Sequence, residues 1–457
     1  MIRIFNHYFH KRSFIQVLFE TGLIFFVVLA SALLQPVGSQ ILAVKVMVPF
    51  LLLSFAMMAI NSSLGFNQPG HIRTLPQTSA RAFLAFVFAM PVIAVASLQL
   101  PNSRAFDLTL GAVVAMIFAI RVYVAHSKPL GMLSQRVLIF GVGQHAKSVA
   151  SALKKSDPNA KLVGYYASPN ETTSDVSTRG IFSRKRALKD IVMEEQIDEI
   201  VVALNERRGG SLPMRELLDC KLQGVRVIDV ATHFERTLGQ IRLESISAGW
   251  LIFGDGFTQK NFVRAGTKRV LDIVFSTALI LLTWPIMLIT ALLILVESGG
   301  PILYLQERVG LNGRLFTVIK FRSMRSDAES DGVPRWALAD DERVTRVGGV
   351  IRKLRIDELP QLFSVLLGTM SLVGPRPERP FFVDRLTEEL PYFAVRQSVK
   401  PGVTGWAQVR YQYGASIEDA TEKLQYDLYY VKNQSLFLDL IVLFETIGVV
   451  LTRRGAQ

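Results

Sequence analysis

The chain has 457 residues, half of them hydrophobic, with a net charge of +13 and a pI near 9.8, so it is too long for one ordinary core. Its single cysteine, Cys220, excludes an internal disulfide and a cysteine-based metal cluster. The positive charge suits nucleic acid, anionic lipid or a phosphorylated substrate, but no zinc-finger spacing or other nucleic-acid module accompanies it, which leaves lipid and phosphate.

The hydrophobic excess is concentrated at the amino terminus. Charge-free windows run from Thr21 to Val44, Val46 to Ile72 and Ala82 to Ser103, and a fourth, Leu108 to Ala125, carries only Arg121 near its end. Each is long enough for a helix of about 20 residues to cross hydrocarbon, and Arg121 can snorkel to the headgroups. Cations precede the first window (Arg3, Lys11, Arg12), separate the second from the third (Arg73, Arg81) and follow the fourth (Lys128, Arg136). By the positive-inside rule the amino terminus and everything after residue 130 are expected on the cytoplasmic side of the membrane. No small-residue processing site follows the first window, so a cleaved signal peptide is not expected.

After Gly131 short apolar runs alternate with charged helical stretches: 136–140, 162–166, 199–204 and 225–230 read as strands. Strands separated by helices predict a parallel sheet with crossover connections. Gly141-Val142-Gly143-Gln144-His145-Ala146 follows the first strand as a G-x-G-x-x-A turn, where a pyrophosphate would meet backbone N–H groups. The second strand, however, ends Tyr165-Tyr166-Ala167-Ser168, without the carboxylate that would hold a ribose. A Rossmann-like sheet is expected, and a bound dinucleotide is not.

Ile273 to Val296 is again free of charge, but cations crowd both flanks: Lys260, Arg264, Lys268 and Arg269 before it, Arg308, Arg314, Lys320, Arg322 and Arg325 after it. Both ends therefore belong to one leaflet. Pro285 removes a hydrogen bond near the midpoint, so the segment is read as a re-entrant helix over about 271–296 that breaks at Trp284-Pro285 and returns. Near the carboxyl terminus, Leu436 to Leu451 reads as an amphipathic closing helix, packed on the domain or lying in the interface.

Between these helices lie the strings that carry chemistry. Leu354-Arg355-Ile356-Asp357-Glu358-Leu359-Pro360-Gln361 sets two adjacent carboxylates in an apolar, arginine-flanked run. Around it stand Gln306-Glu307-Arg308-Val309-Gly310, Lys320-Phe321-Arg322-Ser323-Met324, Val373-Gly374-Pro375-Arg376-Pro377-Glu378 and Lys400-Pro401-Gly402-Val403-Thr404-Gly405-Trp406-Ala407-Gln408. As an ordered set, from about Arg264 to the carboxyl terminus, these strings resemble the catalytic domain of the monotopic polyprenyl-phosphate hexose-1-phosphate transferases. Four spans followed by a degenerate Rossmann-like domain are similar to the long members of that family.

The resemblance implies a membrane protein in three parts: a four-helix transmembrane domain (1–130), a Rossmann-like parallel-sheet domain (131–262), and a mainly helical, membrane-associated catalytic domain (263–457). It implies transfer of a sugar-1-phosphate from a UDP-sugar to polyprenyl phosphate at the bilayer, starting exopolysaccharide, capsule or O-antigen assembly, and a homodimer. Asp357 is then the nucleophile that releases UMP, with Asp357 and Glu358 holding Mg²⁺. A carboxylate nucleophile can divide such a transfer into two displacements, and a hard cation with arginines suits charge spread over phosphoryl oxygens.

Asp357 is also expected to cap the helix continuing to Leu367. Arg376 is the expected phosphate clamp, with a salt bridge to Glu378 as the alternative. Lys320 and Arg322 are expected to point in different directions, leaving one of them structural, and the resemblance favours Lys320 for substrate. Arg308 and Gln408 stand between substrate contact and scaffold, and Glu378 is grouped with the substrate residues. Asp427 matches an acidic position that supports metal or nucleotide. All six histidines lie outside the proposed catalytic domain, so histidine acid–base chemistry is not expected. A membrane-bound dehydratase or epimerase would need a Tyr-x-x-x-Lys pair, and none of the 11 tyrosines has a lysine four residues on. A non-enzymatic scaffold or nucleotide sensor leaves the cation and carboxylate strings without a role.

Overall fold

The structure, a computed structural model, describes residues 135–452 apart from short stretches, the longest being 205–211 and 329–340, with only scattered positions before 135. The four expected spans thus lie almost wholly outside the described residues. The chain divides into two compact units at Gly239/Gln240.

The first unit contains a parallel sheet of β1 (Gln135–Phe140), β2 (Ala160–Tyr166), β3 (Ile181–Phe182), β4 (Glu199–Val202) and β5 (Arg226–Asp229), in the order β3-β2-β1-β4-β5. Only the two-residue β3 leaves no pattern in the sequence. Helices α1 (Gln144–Ser156), α2 (Leu188–Glu194) and α3 (Met214–Leu222) lie in the crossovers, and α4 (Val230–Leu238) follows the last strand. Successive strand residues point to opposite faces. Leu138, Phe140, Ile200 and Val202 pack with Leu188, Ile191, Leu217 and Cys220, while Val137, Ile139 and Val201 pack with Val149, Leu153 and Phe234. With both faces covered, the central strands become continuous apolar runs, and each buried aliphatic side chain contributes about 1.5–3 kcal/mol. Gly141 has φ +127°, and a Cβ there would fall 2.6 Å from the Ala203 carbonyl oxygen, so this turn admits only glycine.

The second unit is mainly helical. Its first helices are α5 (Ala248–Phe253) and the long α6 (Phe262–Ser298). The hairpin β6 (Leu303–Val309) and β7 (Leu315–Phe321) follows, paired antiparallel with Arg308 opposite Phe316 and Tyr304 opposite Lys320. Then come α7 (Arg346–Lys353), α8 (Gln361–Leu367), β8 (Ser371–Val373), α9 (Pro380–Glu389), β9 (Gly402–Thr404), α10 (Trp406–Arg410), α11 (Ile417–Asn433) and α12 (Leu436–Thr452). The closing helix α12 is packed on its domain, burying Leu438, Ile441, Val442 and Phe444. Residues just after the division also pack here: Ile241 N–H donates to the Gln425 carbonyl, and Gln240 and Arg242 bond Glu422.

Among the described residues α6 alone is long and apolar enough to cross a membrane. Most of its side chains, including Leu281, Leu282, Trp284 and Val296, face outward. The helix runs unbroken through Pro285, where the sequence predicts a break. An apolar segment has no alternative donors or acceptors for its backbone, so giving up more than the one hydrogen bond that proline forfeits would be costly.

Both ends of α6 are fastened to the second unit. Near its start Arg269 donates to the carbonyls of Val365 and Leu366 at 2.6 Å each, and Asp272 accepts from Ser371 Oγ and Leu372 N at 3.0 Å. At its end Arg322 donates to the carbonyls of Ser298, Gly299 and Gly300, and Glu297 accepts from the Arg346 N–H at 2.8 Å.

Candidate active site

The acidic pair occupies a one-turn 3₁₀ segment, Ile356–Glu358, between α7 and α8. Thr345 caps α7 through the Gly348 N–H, and Arg355 then adopts φ +57°, which turns the chain sharply. Ile356 packs against the cluster of Ile294, Phe321 and Ile351. Apolar burial of one residue thereby fixes the direction of the next two. Asp357 does not cap α8: that helix starts after Pro360 and has no side-chain cap.

The two carboxylates have different surroundings. Glu358 Oε1 is 2.7 Å from Arg376 Nη2 and 3.2 Å from Lys320 Nζ, and its Oε2 is 3.8 Å from Arg355 Nη1. Burial alone would raise its pKa, but Arg376, Lys320 and Arg355 together drive it well below the usual carboxylate range. Asp357 accepts no hydrogen bond and makes no direct ion pair among the described residues. Burial and then the charge of Glu358 push its carboxyl up to about 6, against the pull of Lys320 and Arg376. Burial also lowers the pKa of Lys320, which Glu358 opposes. The result is one committed carboxylate and one desolvated, uncommitted carboxylate at its side.

Arg376 therefore pairs with Glu358, not with Glu378, whose Oε2 lies 3.5 Å from Arg308 Nη1. Arg308 also donates to the Pro377 carbonyl at 3.1 Å. Strand periodicity does not separate Lys320 from Arg322, since residues two apart share a face. What separates them is the end of β7 at Phe321, after which Arg322 turns to the end of α6. Gln408 donates to the Val403 carbonyl and its Oε1 is buried without a partner. Asp427 lies behind the site, 2 % exposed, bonded to Arg396 Nε at 2.9 Å and Nη2 at 2.7 Å. The structure thus gathers Asp357, Glu358, Lys320 and Arg376, sets Arg308 and Glu378 beside them, and places Arg322, Gln408 and Asp427 in scaffold contacts. Arg396 has no signal in the sequence, being a single cation outside any patterned run.

Val309, Gly310, Arg376, Glu378, Arg396 and Gln397 line a small cleft that meets the pair through Arg376. Among the described residues no three His, Cys, Asp or Glu side chains converge as a closed metal cage. Two adjacent carboxylates, one of them uncommitted, still fit a cation such as Mg²⁺ that takes one or two protein oxygens and completes its shell with water and phosphate.

In the first unit, the G-x-G-x-x-A turn is already supplied with an anion. The Val142 N–H donates to Glu171 Oε1 and Oε2 at 3.2 and 3.1 Å, and the Ser168 N–H donates to Oε2 at 3.1 Å.

Lys320, Arg355 and Arg376 thus ring a carboxylate pair in the unit that carries the outward-facing apolar helix. Residues 263–453 match the family model described as bacterial sugar transferase. The chain is 44% identical over 243 residues (53% of this chain, 56% of that protein) to the UDP-N-acetylgalactosamine-undecaprenyl-phosphate N-acetylgalactosaminephosphotransferase of Aeromonas hydrophila. It is 42% identical over 194 residues (41% and 36%) to the undecaprenyl-phosphate glucose phosphotransferase of Komagataeibacter xylinus. It is 41% identical over 191 residues (41% and 71%) to the UDP-glucose:undecaprenyl-phosphate glucose-1-phosphate transferase of Caulobacter vibrioides. The matched stretch is thus little more than half of the first relative and about a third of the second. The chain belongs to the bacterial sugar transferase family, the polyprenyl-phosphate sugar-1-phosphate transferases.

Proposed function

We propose that the protein transfers a sugar-1-phosphate from a UDP-sugar to polyprenyl phosphate at the cytoplasmic face of the inner membrane, in three parts divided near residues 130 and 262. The observation that carries this reading is the uncommitted, desolvated carboxylate of Asp357 beside a Glu358 held by Arg376 and Lys320. A desolvated carboxylate that makes no hydrogen bond has least to lose on attacking phosphorus.

In the first half-reaction an Asp357 oxygen bonds to the sugar-bearing phosphorus, the bond from that phosphorus to the bridging oxygen breaks, and UMP leaves with the electron pair. In the second, a phosphate oxygen of the polyprenyl acceptor attacks the same phosphorus and the acyl-phosphate bond breaks. This regenerates the carboxylate and gives polyprenyl-diphosphate-sugar. Arg376 and Lys320 hold positive charge against the transferring oxygens. Asp357 and Glu358 would hold Mg²⁺ through oxygens not taken by these cations, adding charge neutralisation at the phosphates.

Two observations support monotopic rather than spanning attachment of this domain. Both ends of α6 are hydrogen-bonded to one compact unit, whereas a spanning helix would carry one of its flanks to the other side of the hydrocarbon. The intervening helix is apolar and outward-facing.

The test is UMP release from UDP-sugar by the full-length protein with polyprenyl phosphate. Release is expected to vanish in Asp357→Ala, and stopping the wild type without acceptor should leave labelled sugar phosphate on residue 357. Unchanged release by Asp357→Ala, or label elsewhere, overturns the assignment.

A further inference from the structure

Arg376 reaches Glu358 from a backbone with little means of holding itself. It lies between Pro375 and Pro377, so neither neighbour offers an N–H, and a residue that precedes proline is confined to extended conformations. The three residues carry a single N–H, that of Arg376, and all three of their carbonyls are taken. Gly402 N–H donates to the Pro375 carbonyl at 3.0 Å. Arg396 Nη2 donates to the Arg376 carbonyl at 2.8 Å, and Arg308 Nη1 donates to the Pro377 carbonyl at 3.1 Å.

The middle donor is itself constrained. Arg396 is buried, two of its nitrogens bind Asp427 Oδ2, and its guanidinium carbon lies 5.1 Å from the centre of the Phe393 ring. Asp427 stands on α11 and is buried behind Arg396.

Resting on the function proposed above, we propose that Arg396 and Asp427 form a positioning pair that fixes the Arg376 peptide, and through it the guanidinium against Glu358 and the transferring phosphate. Asp427 orients Arg396, Arg396 holds the Arg376 carbonyl, and Arg376 alone meets the substrate. A displacement of about 1 Å at a charge-stabilising group costs on the order of 100-fold in rate, so the pair acts on turnover without touching the reacting atoms.

The test is a double-mutant cycle on the full-length protein, following UMP release from UDP-N-acetylgalactosamine and UDP-glucose with polyprenyl phosphate. Arg396→Lys and Asp427→Asn are made in the wild-type and Arg376→Ala backgrounds. In the wild-type background each is expected to lower kcat about 100-fold with a smaller change in KM, and Asp427→Glu to restore part of the loss. In the Arg376→Ala background the same changes should cost no more than about twofold, because the group they position is gone. Equal losses in both backgrounds overturn the inference and leave the pair as scaffold or as a direct substrate contact. If Asp427→Asn fails to fold, the cycle is read from Arg396→Lys, which keeps the buried cation. An Arg376→Ala variant as active as wild type removes the inference with Arg376's role. Absence of UMP release from the wild type with every UDP-sugar instead removes the proposed function.

Discussion

Asp357 and Glu358 are adjacent in the chain and opposite in electrostatic state, because one meets three cations and the other meets burial and its neighbour's charge. If ionised Asp357 is the nucleophile, the pre-steady-state burst of UMP should fall about tenfold per pH unit below about 6 and level off above it. Glu358→Gln removes the charge that raises Asp357, so the break should move to lower pH as the burst shrinks; an upward move would contradict this electrostatic account. A second carboxylate, Glu199 on β4, is brought down to about 2. Burial opposes this shift, and His233, whose Nδ1 lies 3.9 Å away, produces it together with Arg236 and Arg226, each at 3.2 Å. A lowered folded-state pKa means that the unfolded chain binds more protons between pH 4.5 and 2, so this stabilisation is present above 4.5 and lost as pH falls towards 2. Glu199→Gln should therefore weaken hydrogen-exchange protection of the β1 and β4 amides by on the order of 3 kcal/mol at pH 7. The difference from wild type should shrink on acidification.

Among elements, α6 and the turn before α8 decide how the site meets a membrane. Arg322 donates hydrogen bonds from its guanidinium to three carbonyls at the end of α6. Arg322→Ala is expected to cost on the order of 3 kcal/mol in thermal stability by stripping those acceptors of a buried donor. Activity of the fraction that stays folded should be largely kept, which distinguishes Arg322 from Lys320. The attachment of α6 is tested by single cysteines at Phe262 and Glu307, both exposed at its two flanks, with the buried Cys220 as background. Equal shielding of both from an external membrane-impermeant thiol reagent is expected if both flanks stay on one side of the membrane. Labelling of only one would establish a span. Hydrophobicity and flanking charge already indicated a membrane segment from sequence, whereas the helical path through Pro285 depends on which hydrogen bonds the surrounding apolar residues leave available.

At the scale of the whole molecule, every residue of the candidate site belongs to the unit that begins at Gln240. The Rossmann-like sheet belongs to the other unit, and its glycine turn holds the Glu171 carboxylate in place of a phosphate. Isothermal titration of the full-length protein with NAD⁺ or UDP should show no saturable heat that is lost on substituting Gly141 or Gly143, whereas Glu171→Ala should create weak anion binding at that turn. The relatives differ in the sugar that their names carry, N-acetylgalactosamine in one and glucose in others. A panel of UDP-sugars is therefore the measurement that assigns specificity.

Elements with local signals were legible along the chain: the parallel-sheet alternation, the apolar α6 with cations on both flanks, and the strings carrying Asp357, Glu358, Lys320 and Arg376. Periodicity, charge and proline act over a few residues, which is why they show there. The partners of those residues emerged with packing. It gave Arg376 to Glu358 instead of Glu378, turned Arg322 away from Lys320, sent Gln408 and Asp427 into scaffold contacts, and revealed Arg396 behind the Pro-Arg-Pro string. An ion pair forms between groups that are distant in sequence and is selected by burial and geometry that exist only once the chain has packed.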